Sequence, residues 1–66
     1  MKLTALAAGT RVRCLGMNDP HAVRAGTLGT VTRCTDMGSW MRIAVAWDNR
    51  STLALAVPPD RYEVVG

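Results

Sequence analysis

The sequence is poor in the residues that do most chemistry. It has no Phe, one Tyr, two Trp, one His, one Lys and two Cys among 66 residues. Each scarcity removes a class of explanation. Three aromatic rings are too few for an extended base-stacking platform. One histidine, with four Asp and one Glu spread over separate turns, offers no converging set of acid, base and nucleophile. Two cysteines and the lone His21 fall short of the four ligands of a structural zinc site, so neither a metal nor a cofactor is expected. No apolar run approaches the length of a membrane span. Gly26-Thr27-Leu28-Gly29-Thr30 has two glycines but lacks the Gly-Lys-Ser/Thr ending and following helix of a phosphate-binding loop.

What is present is small, apolar and slightly basic. Hydrophobic residues make up 48% and charged residues 20%, which is a globular composition. A chain of this size is expected to draw only about 3–5 kcal/mol of net stability from its core, so a partner or self-association would help it. Eight cations against five anions leave +3, and seven of the eight are Arg, the residue suited to bidentate contact with phosphate or carboxylate.

The apolar stretch Leu3–Ala8 is one residue short of the minimum core of a secretion signal, so residues 1–8 are read as an arm or helical turn preceding a domain over 9–66. A cytoplasmic location follows as an expectation, and there Cys14 and Cys34 would stay reduced as apolar thiols. A Cys14–Cys34 staple stays open if their strands lie side by side.

Along the chain the apolar pattern alternates every residue, which predicts an all-β fold. A first strand over 10–15 puts Val12 and Cys14 on one face and Arg11 and Arg13 on the other. A loop over 16–26 follows, with an Asx turn at Asn18-Asp19-Pro20. A second strand over 27–35 contains Gly29, which marks a bulge or a close backbone approach. Asp36-Met37-Gly38-Ser39 reads as a hairpin turn. The third strand, 41–47, points Met41, Ile43, Val45 and Trp47 inward. After a turn at 48–51, a fourth strand over 52–57 points Leu53, Leu55 and Val57 inward. Pro58-Pro59-Asp60 favours one 3-10 turn before a last strand over 61–65. Five short strands in this layout make a small SH3-like barrel.

Several motifs carry a family resemblance: Gly9-Thr10-Arg11-Val12-Arg13, Met17-Asn18-Asp19-Pro20, Gly26-Thr27-Leu28-Gly29-Thr30-Val31, Val45-Ala46-Trp47-Asp48-Asn49 and Leu53-Ala54-Leu55. Together they resemble a family of small phage and mobile-element proteins catalogued only as a domain of unknown function. The resemblance implies a cytoplasmic accessory protein with no established activity. It also implies a glycine after Trp-Asp-Asn, where this chain has Arg50, so either the turn is longer or Arg50 serves a contact. A fold-level similarity extends to SH3-like modules that bind nucleic acid or methylated peptides.

The functional expectation is a non-enzymatic binding module that occludes a host protein or nucleic-acid surface, in the manner of a counter-defence inhibitor. Arg11, Arg13, Arg24, Arg42 and Arg50 are the candidate anionic-partner contacts. Trp40 and the 16–26 loop are the candidate anchors, and Trp40 or Trp47 the candidate stacking ring. The plainer reading of the arginines is a solvated face paired with Asp36, Asp48 or Glu63. Ala44, Ala46, Ala54 and Ala56 fall on the outer face of the third and fourth strands, where Thr, Lys or Glu is usual. They form a candidate surface for self-association or a partner. His21 with Asp19 could be drawn as an acid–base pair, although loop capping explains both. Rival classes are a nucleotide-binding oligomer, with a Trp on the base and Arg42 or Arg50 on the phosphate, and an oligomeric enzyme similar in layout to plasmid-borne SH3-like reductases.

Overall fold

Alternation in the third expected strand sets the centre of the structure. Met41, Ile43, Val45 and Trp47 are buried, while Arg42 and Ala46 are exposed and Ala44 is half-buried. A residue every 3.3 Å with side chains on alternate faces produces this pattern when one face meets a core. The computed structural model describes residues 5–17 and 22–65. They form β1 (Arg11–Gly16), β2 (Leu28–Asp36), β3 (Met41–Trp47), β4 (Leu55–Val57) and β5 (Arg61–Val64). All pairings are antiparallel, in one sheet of order β4-β3-β2-β1-β5. There is no helix among the described residues, and so none long and apolar enough to cross a membrane.

The core gathers Val12, Cys14, Val23, Val31, Met41, Ile43, Val45, Trp47 and Leu55, with Leu6, Met17, Cys34, Leu53, Val57 and Tyr62 packed at its margin. Gly29 lies between Val12 and Trp47 in the ladder. A Cβ there would meet Val45 Cγ1 at 2.6 Å and Trp47 Cε3 at 2.7 Å, so the missing side chain lets the indole lie against the backbone. The bulge itself is elsewhere, between Val31 and Arg33. One extra residue reverses the alternation. Strict alternation would place Arg33 beside Val31 in the core, and the bulge turns it outward while Cys34 turns in opposite Ile43.

The fourth strand is shorter than its sequence pattern. Trp47 Nε1 donates to the Leu53 carbonyl at 2.7 Å, and the Trp47 amide donates to the Ser51 carbonyl at 3.0 Å. These bonds commit residues 51–53 to the turn, so β4 begins only at Leu55. Residues 58–60 form a turn, and no 3-10 helix occurs among the described residues. The amide that would close one, that of Asp60, reaches the Ala56 carbonyl four residues back rather than the Val57 carbonyl three back. Instead Asp60 clamps the turn: its amide donates to the Ala56 carbonyl at 3.0 Å, and its Oδ2 accepts the Ala56 amide at 2.9 Å.

That turn also shapes the sheet. β4 and β5 are its two edges, yet only residues 58–60 separate them in the chain. Four strand spacings in a flat sheet would put the edges about 19 Å apart, beyond the roughly 14 Å that four residue steps can span. The sheet therefore curls around its core.

Candidate functional site

The outer face of the sheet divides into two halves. On the β1–β5 side the arginines are engaged. Arg11 donates to both carboxylate oxygens of Asp48, at 3.0 and 2.7 Å, and to Thr30 Oγ1 at 2.9 Å. Those hydrogen bonds hold the Asp48 carboxyl below its ordinary range and the Arg11 guanidinium above its own. Arg13 and Glu63 face each other across β1 and β5 and form the second ion pair. Both arginines are thus ion-paired within the chain, with their side chains still partly exposed.

On the β2–β4 side the arrangement differs. Arg33 stands opposite Ala44, while Arg42 stands between Thr35 and Ala56. Neither guanidinium has a hydrogen bond or ion pair among the described residues. Ala44 and Ala56 are half-buried, Ala46 is exposed opposite Thr30, and half-buried Ala54 lies just before β4. The result is a floor of methyl groups crossed by two free guanidiniums. Trp40, half-buried, precedes β3 in the same alternation as Arg42.

The remaining candidates lie apart from this face. Arg50 sits at the end of β3 remote from Trp40, about 20 Å of strand away. It is exposed, with φ 73°, and its amide donates to the Trp47 carbonyl at 2.9 Å. An arginine thus adopts the left-handed conformation that glycine takes without strain. Arg24 is exposed in the turn before β2, where its carbonyl accepts the Thr27 amide. Trp47 cannot be a stacking ring, because it is 3% exposed with its indole N–H bonded inside the fold. Asp19 and His21 lie outside the described residues, as does most of the Met17–Pro20 motif. At the base of that loop Val23 is buried, and its carbonyl and amide meet Cys14 Sγ and Met17 Sδ.

Cys14 and Cys34 are free thiols, the first buried and the second half-buried. Burial pushes the Cys14 thiol above its ordinary value. Among the described residues no group of three His, Cys, Asp or Glu could hold a metal ion.

Charge accounting sharpens the picture. Asp48 and Glu63 are ion-paired, Asp36 Oδ1 accepts the Gly38 amide at 2.8 Å, and Asp60 is bonded to Ala56. Every described carboxylate is committed within the chain, while Arg24, Arg33, Arg42, Arg50 and Arg61 have no acidic partner among the described residues. Sequence reasoning misses two of these, Arg33 and Arg61. For Arg33 the signal was available, since a cation in the core register of an alternating strand marks a bulge.

Residues 3–65 match the profile of a domain of unknown function, DUF4314. The chain belongs to the DUF4314 family. No curated protein and no solved structure matches it. In this DUF4314 chain the segment 26–31 carries the glycine beneath Trp47, and 45–49 carries Trp47 together with the acid that holds Arg11.

Proposed function

We propose that this DUF4314 protein is a non-enzymatic binding module that docks the outer face of β2, β3 and β4 on an acidic protein surface. The observation that carries the reading is the imbalance of commitments: the described carboxylates are used internally, and Arg33 and Arg42 flank a small apolar floor without internal anions. An apolar centre rimmed by arginine is the composition of a protein interface, whereas phosphate backbones gain little from methyl groups. With Trp47 buried, the aromatic surface for base stacking reduces to half-buried Trp40.

The same reading takes the fold as a small SH3-like barrel. Its support is the strand order, together with the three-residue link that draws the two edges toward each other. In the phage or mobile-element setting that the family resemblance implies, occlusion of a cytoplasmic host protein would counter a defence.

Titration against two polyanions of equal charge, a poly-Glu peptide and a DNA duplex, tests the proposal. The expected result is preferential binding of poly-Glu, reduced about tenfold or more by Arg33→Glu with Arg42→Glu and little changed by Arg11→Ala. Preferential duplex binding with a steep salt dependence would replace the protein partner by nucleic acid. Binding to neither would overturn the proposal.

A further inference from the structure

The two edges of the sheet are not alike. In an antiparallel pair, residues alternately exchange hydrogen bonds or point their amide groups away. On β4 the residue that points away is Ala56, and Asp60 occupies both its N–H and its C=O. That edge is closed. On β5 the Val65 amide donates to the Arg11 carbonyl at 3.0 Å, so Arg11/Val65 and Arg13/Glu63 are the bonded pairs. Val12/Val64 and Cys14/Tyr62 therefore point away from each other. Cys14 confirms this, since its amide and carbonyl bond Thr27 and Gly26 on the far side. The N–H and C=O of Tyr62 and Val64 consequently face out from the edge, with no partner among the described residues. Val64 is 55% exposed beside them.

We propose that the β5 edge is a strand-addition site whose occupant is a second copy of this chain, paired antiparallel about a two-fold axis at Glu63. In that register Tyr62 of each copy faces the partner's Val64, so all four outward groups on each strand are bonded and the exposed valine is covered by an aromatic ring. The charges agree with it. Arg61 is exposed and has no acidic partner within the described residues, and it would lie diagonal to the partner's Glu63. The two central carboxylates would then sit among four guanidiniums, those of Arg13 and Arg61 from each copy. A two-fold contact through the alanine floor would instead oppose Arg33 and Arg42 to their own copies, four cations with no anion between them.

Sedimentation equilibrium from about 1 µM to about 1 mM reads the association directly. A monomer–dimer equilibrium is expected, weakened about tenfold or more by Val64→Lys or Arg61→Glu. At low concentration both variants should keep the circular dichroism and melting profile of the parent, since both positions are exposed. Amide hydrogen exchange adds the location: Tyr62 and Val64 should exchange fast when dilute and slowly when concentrated. A chain that stays monomeric throughout overturns the proposal. So does a dimer that Ala44→Glu disrupts and Val64→Lys does not, with the two amides unprotected at high concentration.

Discussion

The two halves of the outer face contain the same residue type in different states. On β1, Arg11 and Arg13 each hold a carboxylate placed by a neighbouring element, Asp48 from the turn after β3 and Glu63 from β5. On β2 and β3, Arg33 and Arg42 have alanine and threonine as cross-strand neighbours and no anion. Exposed ion pairs of the first kind contribute little to stability, and the guanidiniums over the methyl floor lack even that internal bond among the described residues. Position on an outer face therefore does not make an arginine a docking residue. The absence of an internal anion distinguishes one half from the other.

The strongest way to break this contrast is to exchange Arg33 and Cys34. Arg33→Cys with Cys34→Arg keeps the composition and the bulge but turns the cation to the core side opposite Ile43, and an unpaired cation taken out of water costs several kcal/mol. That is comparable to the whole stability expected of so small a core. The expected outcome is an unfolded chain with lost far-ultraviolet β signal. An exchange variant as stable as the parent would show that the bulge does not set which of the two residues faces the core.

Next in size is Gly29→Ala, at the seam where β1, β2 and β3 meet. The added methyl would press on Val45 and on the Trp47 ring, with destabilisation of about 1–3 kcal/mol by overpacking. Urea denaturation followed by Trp fluorescence measures it. A neutral result would mean that the indole moves away freely, and that the seam does not set the position of β3.

Much of this architecture is legible in the residues. β3 coincides with its alternating run, and the inward positions of β1 follow from Val12 and Cys14. The misreadings have definite causes. A bulge leaves no local mark except a charge in the wrong register, which is how Arg33 escaped notice. β4 is truncated by the Trp47 indole reaching the Leu53 carbonyl, a tertiary bond that no alternation pattern encodes. The ion pairs of Arg11 and Arg13 depend on which strands are neighbours. Composition shows that anions exist, while only topology shows which cations they reach.

A smaller effect sharpens the contrast through exchange of roles. Arg13→Ala removes an exposed pair and is expected to lower stability by at most about 1 kcal/mol, an effect reduced by added salt. Arg42→Ala removes no internal hydrogen bond or ion pair, and its melting temperature should match the parent's or slightly exceed it at low salt, where repulsion from the diagonal Arg33 is relieved. A clear loss of stability in Arg42→Ala would mean that its guanidinium has an internal role, and would remove it from the docking face.

The smallest effect is a titration. Asp48 has its carboxyl held below the ordinary value of about 3.9, chiefly by the hydrogen bonds from Arg11. An acid with a depressed folded value contributes stability that is present above its unfolded value and is lost as pH falls through the folded one. The loss should therefore fall below about pH 4, and it should be slight because both groups are exposed. A carboxyl-carbon NMR titration should place the Asp48 midpoint below that of a free aspartate, and Arg11→Ala should return it to the ordinary range. Arg42→Ala should not move it, since Arg42 faces Thr35 and Ala56 across the sheet. An Asp48 midpoint indifferent to Arg11 would dissolve the difference between the two halves, because Arg11 would then be as free to meet a partner as Arg33.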